Sequence, residues 1–127
     1  MGMTLTRDMI LEAADLKREL VNVPEWGGDV YVSSFTGTER DAFEAKLAEG
    51  KGAMKNIRAL LVAYCAVDEH GNRIFQDKDA EVLGRKSAIA LNRVFEVAMR
   101  LNGIGAKEVS DMEKNSEPET SDVSISD

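Results

Sequence analysis

NVPEWGGDVYVSSFTGTERDAFEAK, residues 22–46, gathers Trp26, Tyr31, Phe35 and Phe43 into one short span. Apolar residues alternate with polar ones on either side of Gly27-Gly28, the pattern of two half-buried strands joined by a turn. A two-residue turn at Gly27-Gly28 pairs Trp26 with Asp29 and sets Val23 opposite Val32. Val21, Val23, Val30 and Val32 then share one face, and Pro24, Trp26, Tyr31 and Phe35 share the other. Pro24 donates no ladder hydrogen bond, which places the first strand at an edge. Helix signals resume at Thr36. Either Thr36 with Glu39 or Thr38 with Asp41 can close a capping box, and Phe43 and Leu47 then lie one turn apart.

Working outward, residues 7–18 suit a first helix with Thr6 as N-cap, its apolar side formed by Ile10, Leu11 and Ala14, with Leu16 a further candidate. EGKG at 49–52 breaks the helix that follows the hairpin. Beyond it Met54, Ile57, Leu60, Leu61, Tyr64 and Cys65 recur at helical spacing, the strongest amphipathic signal in the first half. VDEHGNRIF, 67–75, reads as a tight turn around Gly71 with room for a short extended pair on either side. Asp77 can cap a short helix through Val82 and Leu83, closed by Gly84. Ser87 can cap the last helix, whose stripe is Ala88, Leu91, Val94, Phe95, Ala98 and Leu101, with Ile89 and Val97 on a separate side. The fold class is mainly α: four to five helices with one small N-terminal β-hairpin at about 20–35, in a single domain over 1–106.

The chain has 127 residues and a formal charge of −7. Residues 107–127 hold seven acidic and two basic residues, which is −5 of that total and leaves −2 for 1–106. So acidic a segment, poor in large apolar groups, is expected to be a disordered C-terminal tail. The charge balance and the lack of a basic patch argue against nucleic acid as a direct partner. Acids interrupt every apolar run of the first twenty residues, so neither an export signal nor a membrane span is expected there. Cys65 stands alone, compatible with a reducing cytosol. A soluble intracellular protein is the expectation.

Residues suited to chemistry are sparse. His70 sits in DEHGN, but Gly71 is fourth from Asp68 where a calcium loop needs it sixth. Cys65 reads as a buried residue of helix 53–66. Gly50-Lys51-Gly52 lacks the spacing of a phosphate loop, and the acids of 39–49 read as a solvated helix face. No catalytic, cofactor or metal site is expected. Pro24, Trp26, Tyr31 and Phe35 remain as candidates for oligomer or partner binding. Helix 38–48 could fold back over them, or part of that face could be left for another chain; two apolar faces on one small ribbon give weight to the second.

Three blocks in order, VPEWGGDVYV, FTGTERDAFEA and VDEHGNRIFQDKDAEVLGRKSAIALNRVFEVAMRLNGI, resemble the tail assembly chaperones of long-tailed phages and prophages. The resemblance spans roughly 5–106 and includes no catalytic motif. It implies a mainly helical protein that self-associates and binds the tape-measure protein in the host cytoplasm before tube subunits polymerise. It also implies absence from the mature virion, with a frameshifted longer form and the tail tube protein as further partners. The acidic tail would then end the shorter form. A structural head–tail connector or other virion assembly protein is the alternative, and a small nucleic-acid regulator is a third reading that the charge disfavours.

Overall fold

The computed structural model describes residues 3–49 and 56–105. The acidic segment 107–127 and Met54 lie outside the described residues. Within them the elements run α1 (Arg7–Glu12), β1 (Arg18–Val23), β2 (Gly28–Ser33), α2 (Gly37–Ala48), α3 (Ile57–Cys65), β3 (Ala66–Val67), α4 (Ala80–Leu83) and α5 (Ala88–Leu101). Short 3-10 turns cover Pro24–Trp26 and Asp77–Asp79. The architecture is α-helices with a small antiparallel sheet. That sheet has three strands in the order β1-β2-β3, so the hairpin expected from the sequence is completed by a third, short strand.

The hairpin register corrects the sequence reading. Val23 pairs with Gly28, Val21 with Val30 and Glu19 with Val32, instead of Trp26 with Asp29 and Val23 with Val32. The turn is longer because Pro24 opens a 3-10 turn at its first position and Gly27 closes it in the left-handed region, φ +81°. Proline is pre-set for the start of such a turn, and glycine takes a positive φ without a Cβ clash. Every pairing moves by an even number of residues, so the valine face survives intact. Val21, Val23 and Val32 are buried and Val30 packs beside them. The proposed aromatic face does not survive. Pro24 and Trp26 leave the strand for the turn, and Phe35 follows the end of β2, so strand alternation governs only Tyr31.

The valine face rests on α5, which lies across β1 and β2. Two ion pairs clasp them: Glu19 with Arg100 (2.9 Å) and Glu25 with Arg93 (2.8 Å), two helical turns apart on α5. Each is bidentate, which orients the strand on the helix more than it stabilises it at an exposed site. Ser87 Oγ accepts from Ala90 N–H at the start of α5. Leu91, Val94, Phe95 and Ala98 are buried, while Ala88 is exposed. At α2 the structure selects the Thr36–Glu39 capping box, with both reciprocal bonds present.

α3 is the centre of the fold. The sequence predicts one apolar stripe, but all of its nine residues except Arg58 are buried. α2, α4, α5 and the second 3-10 turn pack around it, and its arginine alone reaches solvent. Phe43 of α2, Phe35 and Tyr64 of α3 form an aromatic triad with centroids 5.5–6.1 Å apart, within the range where offset and edge contacts add to burial. Gly84 ends α4 against Asn56 at the start of α3, where a Cβ would collide with the Asn56 side chain. α1 is the opposite case. It starts as expected, Thr6 Oγ1 accepting from Met9 N–H, but stops at Glu12 and buries no residue.

Candidate functional site

The four sequence-selected residues occupy three different environments. Phe35 is in the core, its N–H donating to Asn102 Oδ1 (2.7 Å). That is the fold-back outcome. Tyr31 is half-buried on the outer sheet face, opposite Leu20 across the strand pair, with the Arg18 guanidinium 4.7 Å from its ring centroid. Leu20 is exposed. Pro24 is exposed at the turn, and Trp26 beside it is half-buried, one side of its ring packed on the core.

The other side of Trp26 opens on a cleft of about 610 Å³ lined by Glu25, Trp26, Phe75, Asp79, Val82, Leu83 and Lys86. Three segments build it: the hairpin turn, the stretch entering the second 3-10 turn, and α4. The Glu25–Arg93 pair fixes the turn side, and it holds the Glu25 carboxyl below the usual carboxylate range. The Gln76–Asp79 capping box fixes the opposite wall, so the cap expected at Asp77 falls one residue earlier, on Gln76. Val82, on the rim, is 58 % exposed. Among the described residues the buried Trp26 indole N–H has no acceptor, which leaves the ring at an energetic disadvantage that a well-satisfied core avoids. Phe75 and Val82 were not among the site candidates because each stands with one apolar neighbour, Ile74 or Leu83, in a segment too short to show a period. The Pro24-to-Gly27 spacing was the available signal that Trp26 leaves the strand.

Other titratable groups are committed to structure. Tyr64 donates its hydroxyl to Asp77 Oδ2 (2.8 Å), beneath the Arg73 guanidinium 4.1 Å from its ring centroid. Burial foremost, then the Asp77 bond, pushes the Tyr64 phenol up to about 12. Burial likewise pushes the Cys65 thiol up to about 12, with Asn102 Nδ2 at 3.5 Å opposing weakly. A thiol held so firmly protonated is a poor nucleophile. Asp68 Oδ1 accepts from the N–H groups of Asn72 and His70, which lowers its pKa and shapes the turn around Gly71 at φ +88°. His70 is exposed in that turn. Among the described residues no three His, Cys, Asp or Glu side chains are placed to share a metal, and no helix is long and apolar enough to cross a membrane. Compared with known proteins, the chain matches no family model, no curated protein and no solved structure.

Proposed function

We propose that this chain is a tail assembly chaperone of a long-tailed phage or prophage. It self-associates in the host cytoplasm, binds the tape-measure protein during morphogenesis, and leaves before the virion is complete. It acts by stoichiometric binding, with no catalytic step and no cofactor, membrane or nucleic acid. A frameshifted longer form and the tail tube protein are its further partners. The resemblance of the three sequence blocks supports the reading, and one structural observation carries it: a well-packed body leaves apolar side chains uncovered in separate places. These are the N-terminal segment, the outer sheet face at Leu20 and Tyr31, and the Trp26 cleft.

A chaperone for a long helical client needs at least two such surfaces, one to join copies and one to hold the client. Many modest contacts along one client then accumulate through effective concentration. We assign the outer sheet face to the client. Leu20 and Tyr31 are cross-strand neighbours there, and tyrosine presents a large contact area with few rotors to freeze. The test is co-expression with a tape-measure protein from the same genome. The protein should keep the client soluble and co-purify with it, and Leu20→Asp, at an exposed position of the edge strand, should abolish that while leaving the thermal midpoint in place. A client equally insoluble with and without the chain overturns the reading. The chain's presence in purified virions by mass spectrometry would favour the head–tail connector.

A further inference from the structure

Met3, Leu5, Met9, Ile10, Leu11 and Leu16 all lie in the N-terminal segment, and every one is exposed. The helix inside that segment, α1, has six residues and touches no core. Isolated helices shorter than about 12–15 residues are marginal in water, and one capping bond adds only about 1 kcal/mol. An ordered α1 therefore needs a surface outside its own folded body.

The Trp26 cleft is such a surface, and the chain's own α1 is badly tethered for it. Lys17 and Ser34 extend the β1–β2 ladder, Ser34 N–H donating to Lys17 O (2.8 Å), so the backbone is anchored at Lys17. From there to Val23 the strand covers about 20 Å, and the cleft lies at that far end. The linker from Lys17 back to Glu12 covers about 17 Å when fully stretched. Docking within one chain leaves no slack to lay the helix down. The α1 of a second copy carries no such restraint.

The two surfaces also match. Ile10 and Leu11 share a side of α1 with Arg7, three and four residues earlier. The cleft is lined by the apolar side chains of Trp26, Phe75, Val82 and Leu83, and by two carboxylates, Glu25 and Asp79, against one cation, Lys86. Seated there, Ile10 and Leu11 would cover the apolar lining, and Arg7, which among the described residues pairs only with its neighbour Asp8 at an exposed site, would face Asp79. We propose that α1 of one copy docks in the Trp26 cleft of the next, linking copies head to tail. The contact is heterologous, so it propagates from copy to copy until the geometry closes a ring. This inference rests on the self-association in the proposed function and is independent of the client.

Complementation of two full-length variants tests it. Leu11→Asp spoils the helix and spares the cleft, whereas Val82→Asp spoils the cleft and spares the helix. Both side chains are exposed, so at a concentration where the chains are monomeric both variants should keep the wild-type thermal midpoint. In sedimentation velocity each alone should associate at least about tenfold more weakly than wild type. Their equimolar mixture should form a 1:1 dimer and nothing larger, because one intact contact remains. Trp26 is the single tryptophan, so its emission should shift to the blue on mixing and in neither variant alone. Association of either variant at wild-type strength overturns the docking but leaves self-association standing. A wild-type chain that stays monomeric at every concentration overturns both, and the client pull-down then stands or falls separately.

Discussion

α3 and α1 are both short helices with an apolar side, and their fates are opposite. α3 is enclosed on every side but that of Arg58, while α1 exposes all of its residues. Intrinsic hydrophobicity is part of the difference, since α1 carries Arg7, Asp8 and Glu12 in six residues. Place in the chain is the larger part. α3 falls between the hairpin with α2 and the α4–α5 unit, so elements from both directions close over it. α1 leads into β1, an edge strand whose valine face is already taken by α5. Apolar periodicity states that a face needs covering; only topology states whether the same chain can cover it.

Truncation at the centre of α3 should give the largest effect. Leu61→Ala removes a fully enclosed side chain and should cost about 2–5 kcal/mol in denaturant unfolding. Ile10→Asp in α1, measured at a concentration where the chain is monomeric, should stay within about 0.5 kcal/mol of wild type. Similar losses at the two sites would erase the contrast.

The alkaline limb of stability sharpens it. Burial pushes the Cys65 thiol and the Tyr64 phenol up to about 12, from ordinary values of 9.0 and 10.0. For raised pKa values the linked stability is complete below the ordinary value and is lost as pH rises through the folded one. The thermal midpoint should therefore fall from about pH 9 upward, and Cys65→Ala or Tyr64→Phe should flatten that fall. A limb unchanged by both substitutions would mean that α3 is open to water. On the acid side the effect should be smaller. Glu25 and Glu19 have lowered pKa values, chiefly through their bonds to Arg93 and Arg100. Stability linked to them is present above their ordinary value of 4.5 and lost as pH falls below it. Arg93→Ala should slightly reduce the acid sensitivity of the melt, read against the same variant at pH 7.

Much of this fold was legible because caps and alternation are local. Thr6, Thr36 and Ser87 all cap the helices they announce, and the valine face held even though the register moved. The candidate site was less legible. Trp26 and Phe35 flank strand residues in sequence, yet alternation fails at a 3-10 turn and beyond a strand's end. One turned into the cleft and the other into the aromatic triad. The cleft itself joins residues about fifty positions apart, 25–26 and 75–86, and no local pattern encodes that meeting. α1 was readable as a helix, while its lack of a partner depends on contacts that a sequence does not state.

Amide hydrogen exchange over a concentration series tests most directly whether the body stands alone while α1 orders against another copy. At low concentration α3 and α5 should exchange only through global unfolding, and residues 7–12 should exchange at nearly the rate of a free peptide. Raising the concentration should protect residues 7–12 together with the Trp26 turn and α4, leaving α3 unchanged. Strong protection of α1 in the dilute monomer, or none at any concentration, would contradict the account.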